Sequence, residues 1–187
     1  MHPRVLARVL AAVLAATFAL MGGQAAAAPV PVGDRALAPR VVTYDASASA
    51  EFRAAVDRGA AIWNESVEGV ELRPARAGQR ADIRILADNG WPRAMTTALG
   101  RGVVYMGRQA VDQGYDTVRI SSHELGHILG LPDRKPGPCS SLMSGSSAGT
   151  ACTNPYPNAA EKAEVEDNFG SSLTRSAEVP RNMVIVD

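Results

Sequence analysis

The stretch Ser122-His123-Glu124-Leu125-Gly126-His127-Ile128-Leu129-Gly130-Leu131-Pro132-Asp133 decides how the rest of the chain is read. On a helix of about 3.6 residues per turn, positions four apart share a face, so His123 and His127 can close on a single metal ion. Glu124 stands beside them. This is the H-E-x-x-H arrangement, in which two neutral imidazoles hold Zn²⁺ and the glutamate takes a proton from the water on the metal. A catalytic zinc wants a third protein ligand and an open fourth position. Gly130 permits the left-handed turn that ends a helix, and a carboxylate three residues later, that of Asp133, can swing back under the imidazoles. A census of histidines narrows the choice of third ligand. The chain has three, and His2 lies in what reads as a leader. Only His123 and His127 remain, and the cysteines have a better use as a disulfide, which leaves a carboxylate, with Asp133 the nearest at a workable spacing.

The 187 residues allow one domain behind a leader. Formal net charge is zero and aromatic residues make up 5% of the chain, with no basic run, so nucleic acid is not an expected partner. Arg4 and Arg8 precede an apolar run from Val9 to Met21 that ends in Gly-Gly-Gln and a string of alanines. This is the pattern of a secretory signal peptide over residues 1–28, with Ala26-Ala27-Ala28 as the small-residue cleavage site. The run is short for a membrane span, so no membrane association is expected after cleavage. Residues 29–40 are Pro-rich and lack an apolar period, which predicts a short pro-segment or linker. Its last residue, Arg40, is either a processing site or part of a flexible N-terminus.

Beyond it, 41–44 (VVTY) reads as a strand. Phe52, Val56, Ala60, Trp63 and Val67 recur every three to four residues and predict a long amphipathic helix. Residues 70–73 and 81–86 alternate as two further strands, and 88–100, with its Asn-Gly and Trp-Pro pairs, reads as a loop. Residues 102–106 (GVVYM) form a short strand, a candidate for the sheet edge on which a peptide substrate pairs, or else an ordinary internal strand. Residues 109–115 read as a polar connector, and the zinc helix starts near Asp116 or Thr117. Together these elements predict an α/β (α+β) fold: a mixed sheet packed on the long helix and the zinc helix. Cys139 and Cys152 should be joined in an exported chain with no other cysteines. The ring they close contains Leu142-Met143-Ser144-Gly145, read as a tight turn that sets Met143 under the zinc ligands. Asn158 and Glu161 form a capping box that opens a last helix through Phe169, ended by Gly170. The remainder, 171–187, is a C-terminal extension whose Met183-Val184-Ile185-Val186 run is an added strand, a docking segment or a frayed tail.

The string from His123 to Asp133, the ring from Cys139 to Cys152, the methionine turn, and Cys152-Thr153-Asn154-Pro155-Tyr156-Pro157-Asn158-Ala159 together resemble the snapalysins, small neutral zinc metalloproteases secreted by streptomycetes. The likeness covers roughly 41–170, and Ala60-Ala61-Ile62-Trp63-Asn64 also fits. It implies a metzincin-like zincin and a secreted endopeptidase acting on proteins or peptides. It further implies zinc on His123, His127 and Asp133, Glu124 as general base, and preference for an aromatic residue just after the scissile bond. A structural calcium with Asp116 as a ligand is implied as well; the next family position, a threonine, is Val118 here and offers only its backbone carbonyl. A tyrosine that some members carry soon after the zinc aspartate is replaced here by Arg134-Lys135, and either basic side chain could stabilise the oxyanion. A monomer is expected.

Overall fold

The computed structural model describes residues 38–170 and 183–186. The expected signal peptide and nearly all of the expected linker lie outside the described residues. Among the described residues, no helix is long and apolar enough to cross a membrane.

Six strands form one sheet in the order β2-β1-β3-β5-β4-β6. Strand β1 (Arg40–Ala48) leads through a 3-10 turn (Ala50–Phe52) into helix α1 (Arg53–Ser66) and returns in β2 (Val70–Pro74), parallel to β1. Strand β3 (Ile83–Asp88) pairs in parallel with the other side of β1 and with β5 (Arg101–Gly107). Strand β4 (Arg93–Ala98) runs antiparallel on the outer side of β5, and β6 (Met183–Val186) runs antiparallel on the outer side of β4. The mixed sheet packed on two helices is thus the architecture expected from the hydrophobic periods.

One expectation about strands changes and one open choice is settled. Residues 93–98 form a strand although they fall in the stretch read as a loop. Ala94 and Thr96 are buried while Met95 is exposed, so the alternation exists, but Ala and Thr carry too little apolar surface to announce it. Strand 102–106, read as either an edge or an ordinary internal strand, is internal and paired on both sides; β4 lies outside it and carries β6 on its own outer side. The connector at 109–115 contains a short helix, α2 (Arg108–Asp112).

One face of the sheet is covered. Val42, Tyr44, Leu72, Ile83, Ile85, Val104 and Met106 point under α1 and α3 (Thr117–Ile128) and are almost wholly buried. Every position of the predicted apolar stripe of α1 is buried: Phe52, Val56, Ala60, Trp63 and Val67. The two helices approach closely at Gly59, where a β-carbon would stand 2.6 Å from Ser121 Oγ and 3.0 Å from Ser122 N. Trp63 completes the contact, donating its indole N–H to the Ser122 carbonyl at 2.8 Å. The zinc helix therefore rests on α1 through a glycine and a tryptophan.

Helix α4 (Ala159–Gly170) closes the domain. Its Glu166 accepts from the backbone N–H groups of Glu68 and Gly69, and Asn168 donates to the Leu129 carbonyl at 3.2 Å. Arg40, the last residue of the expected linker, is already the first of β1. Its N–H donates to the Gly69 carbonyl at 3.0 Å and its guanidinium lies over the Phe169 ring.

Candidate metal centre

Helix α3 begins as its sequence predicts. Asp116 is the N-cap, and its Oδ1 accepts from the Arg119 N–H at 2.7 Å. It ends at Gly130, whose φ of +97° only glycine adopts without strain. The Leu131 N–H reaches back to the Gly126 carbonyl and the Gly130 N–H to that of His127, both at 3.0 Å. These are the two reversed bonds of a Schellman turn. That turn also brings the Leu131 carbonyl to within 2.8 Å of His127 Nδ1. His123 Nδ1 stands 3.0 Å from the Leu142 carbonyl. Carbonyls only accept, so each Nδ1 carries the proton and each Nε2 presents a lone pair.

Those lone pairs converge. The two Nε2 atoms are 3.0 Å apart, and Asp133 Oδ1 lies 3.3 Å from that of His123 and 3.4 Å from that of His127. Three electron-rich atoms at such distances repel one another unless a cation lies between them. A tetrahedral ion about 2.0–2.1 Å from each ligand requires ligand atoms about 3.3 Å apart. The donor set therefore fits zinc, and among the described residues it is the one group of three such side chains able to share an ion. As a metal ligand Asp133 must be ionised. Its second oxygen faces Lys135 Nζ at 3.4 Å. Arg134 turns the other way and pairs with Glu164.

Glu124 is fully buried next to His123. Met143 is fully buried too, and its sulfur would stand 2.8 Å from a β-carbon at Gly126. The turn that carries Met143 thus passes beneath the middle of α3, at Gly126. Cys139 and Cys152 are bonded, with Cα atoms 5.5 Å apart. Asp116 and Val118 stand at the start of α3, and the observed contact of the Asp116 carboxylate is the cap.

Two residues that hold this centre escaped the sequence reading. Glu161, besides closing the capping box with Asn158, accepts through Oε1 from Ser141 Oγ (2.6 Å) and the Met143 N–H (2.9 Å), and through Oε2 from the Leu142 (3.1 Å) and Asn158 (2.7 Å) N–H groups. Arg119 is buried and donates to the carbonyls of Asn154, Ser141 and Leu142 and to Ser144 Oγ. One carboxylate and one guanidinium therefore hold the turn whose Leu142 carbonyl orients His123. The signal for Arg119 was available: it sits four residues before His123, on the same helical face. A third feature is a pocket beside His123 walled by Trp91, Ala110, Tyr115, Ile120 and Gly145, with Asp116, Arg119 and Ser146 completing its lining. Trp91 and Tyr115 meet there edge to face, with centroids 5.8 Å apart.

The extracellular small neutral protease of Streptomyces caespitosus is 46% identical over 126 residues, which cover 66% of this chain and 92% of that one. Its namesake from Streptomyces coelicolor is 42% identical over 139 residues, covering 73% of this chain and 62% of that one, so the chain spans less than two thirds of that longer relative. A solved structure, archaemetzincin from Methanopyrus kandleri, aligns with a TM-score of 0.46 at 14% identity over 74% of this chain and 99% of its own. The profile of the Streptomyces extracellular neutral proteinase (M7) family matches residues 40–172, and with it the chain belongs to that family of metalloendopeptidases.

Proposed function

We propose that the chain is a secreted zinc endopeptidase that hydrolyses peptide bonds with Glu124 as general base. The observation that carries this reading is the convergence of the two imidazole Nε2 atoms and Asp133 Oδ1 within 3.4 Å, with both Nδ1 atoms tied to carbonyls. Bound there, Zn²⁺ would polarise the scissile carbonyl and acidify the attacking water. Glu124 takes the proton of that water at its carboxylate and hands it to the leaving nitrogen. A carboxylate ligand lowers the charge of the centre relative to a third imidazole, so the water is less acidic and the base more necessary. Lys135, beside Asp133, is the nearer of the two basic residues to the developing oxyanion, because Arg134 is engaged by Glu164.

A peptide substrate pairs as an extended strand with the outer edge of β4. The side chain following the scissile bond enters the pocket beside His123, where the rings of Trp91 and Tyr115 suit another ring. A calcium ion would draw on Asp116, whose carboxylate is already the cap of α3, and on the carbonyl of Val118. Secretion rests on the leader in residues 1–28.

The test is Glu124→Ala beside Asp133→Ala, each assayed for bound metal and for casein hydrolysis. Glu124→Ala keeps stoichiometric zinc and loses about 10²–10⁴ in rate, as removal of a general base does, whereas Asp133→Ala loses the metal itself. Full activity in metal-loaded Glu124→Ala, or undiminished proteolysis after exhaustive chelation, would overturn the reading.

A further inference from the structure

The outer edge of β4 is already occupied, and by the chain itself. Met183, Val184, Ile185 and Val186 pair antiparallel with Thr96, Met95, Ala94 and Arg93, covering all but the last two residues of the strand. Strand β4 packs beside α3, the helix that carries His123 and His127. Trp91, two residues before it, lines the pocket with His123. Just past its other end, Leu99 Cδ1 would stand 3.1 Å from a β-carbon at Gly130, and the Gly100 N–H donates to the Ile128 carbonyl at 2.9 Å. The backbone groups that β4 turns away from β5 are therefore the ones an extended peptide crossing this centre must use. Within the sheet, β6 lies where such a peptide would lie, antiparallel to β4.

We propose that the C-terminal strand is a tethered competitor: residues 183–186 hold the β4 edge, and a substrate must displace them before it can pair. This rests on the peptidase reading above and adds regulation of the same site. The family match ends at residue 172, so the competing strand lies outside the shared domain. Twelve residues separate the end of α4 from β6, a tether short enough to give an effective concentration of about the millimolar range. Only the fraction of molecules with an open edge binds substrate, so the apparent KM is the intrinsic one divided by that fraction. A four-residue strand is a weak ligand, which keeps the block reversible.

The experiment compares the zinc-loaded chain with a form ended after Asn182 and with a full-length Val184→Pro, Ile185→Pro double variant, since proline removes the N–H groups needed for the ladder. Initial rates are measured on a quenched fluorescent peptide, and hydrogen exchange is followed at residues 93–96. Both altered forms are expected to show a KM about three- to tenfold lower with kcat unchanged and faster exchange at 93–96. A synthetic peptide of residues 181–187 added to the truncated form should restore the higher KM competitively. Equal KM in all three forms would overturn the proposal while leaving the peptidase reading intact. If no form cleaves peptide, the peptidase reading falls, and with it a competitor for substrate. Unprotected 93–96 in the full chain would overturn it as well, whatever the kinetics.

Discussion

Replacing Glu161 by glutamine tests whether the centre is held from outside its own ligands. The carboxylate is fully buried and takes one pair of donors on each oxygen: Ser141 Oγ and Met143 N on Oε1, Leu142 N and Asn158 N on Oε2. A glutamine keeps its oxygen on the Leu142 and Asn158 N–H groups and turns its NH₂ toward Ser141 Oγ, a hydroxyl that can accept, and toward the Met143 N–H, where donor meets donor. One backbone N–H loses its acceptor, at about 2 kcal/mol for a buried donor left unsatisfied. For a domain of this size that corresponds to a fall in Tm of about 6 °C. The effect reaches the metal through Leu142, whose carbonyl fixes the His123 ring. Loss of such an outer partner lowers metal affinity about 10–100-fold. Thermal melts of the metal-free protein and chelator-competition titrations read the two effects separately.

The pH dependence has a definite sign. Burial raises the Glu161 carboxyl, but the bonds from Ser141, Met143, Asn158 and Leu142 outweigh it, so its pKa in the fold lies below the unfolded value. Its contribution is complete above the unfolded pKa of about 4.3 and is lost as pH falls through the lower folded value. The gap in Tm between native and Glu161→Gln metal-free proteins should therefore be constant from pH 6 to 8 and shrink below about pH 4. A variant that melts within about 2 °C of the native protein at neutral pH, or that binds zinc unchanged, would refute the reasoning.

Two further substitutions probe the packing beneath the site. Gly126→Ala sets a methyl group 2.8 Å from the Met143 sulfur and 3.1 Å from Trp63 Cζ2. It should destabilise the fold by about 1–3 kcal/mol through overpacking, read by urea denaturation, and in a double-mutant cycle with Met143→Ala the combined loss should be smaller than the sum of the two single losses. Removing the crosslink with Cys139→Ser and Cys152→Ser frees a ring with a sequence separation of 13. Denaturation midpoints should report a loss of about 3 kcal/mol in the chain-entropy account, and the non-reduced and reduced native proteins should differ by the same amount.

What could be read in the sequence was what lies close together along it. His123, Glu124, His127, Gly130 and Asp133 span less than three helical turns, so spacing alone implied their convergence. The Asn158 and Glu161 capping box is local in the same sense, and so is the stripe from Phe52 to Val67. Strand β4 was missed because its helix-facing residues are Ala94 and Thr96, and it is a strand only by virtue of pairing with β5. Whether 102–106 was an edge or an internal strand stayed open for the same reason, since the order of strands in a sheet depends on contacts far apart in the chain. Arg119 and the far reach of Glu161 were hidden for the same reason: their partners sit on a loop more than fifteen residues away.

The Schellman turn at Gly130 has a consequence for how the ion leaves. The carbonyl that orients His127 belongs to Leu131, and the N–H of that same residue closes the last turn of α3. Fraying of the helix end and release of the imidazole are thus one motion, and a bound ion acts as a rivet through it. Amide exchange at residues 129–131 should then keep time with dissociation of zinc, making the terminus of the helix a clock for the lifetime of the loaded enzyme.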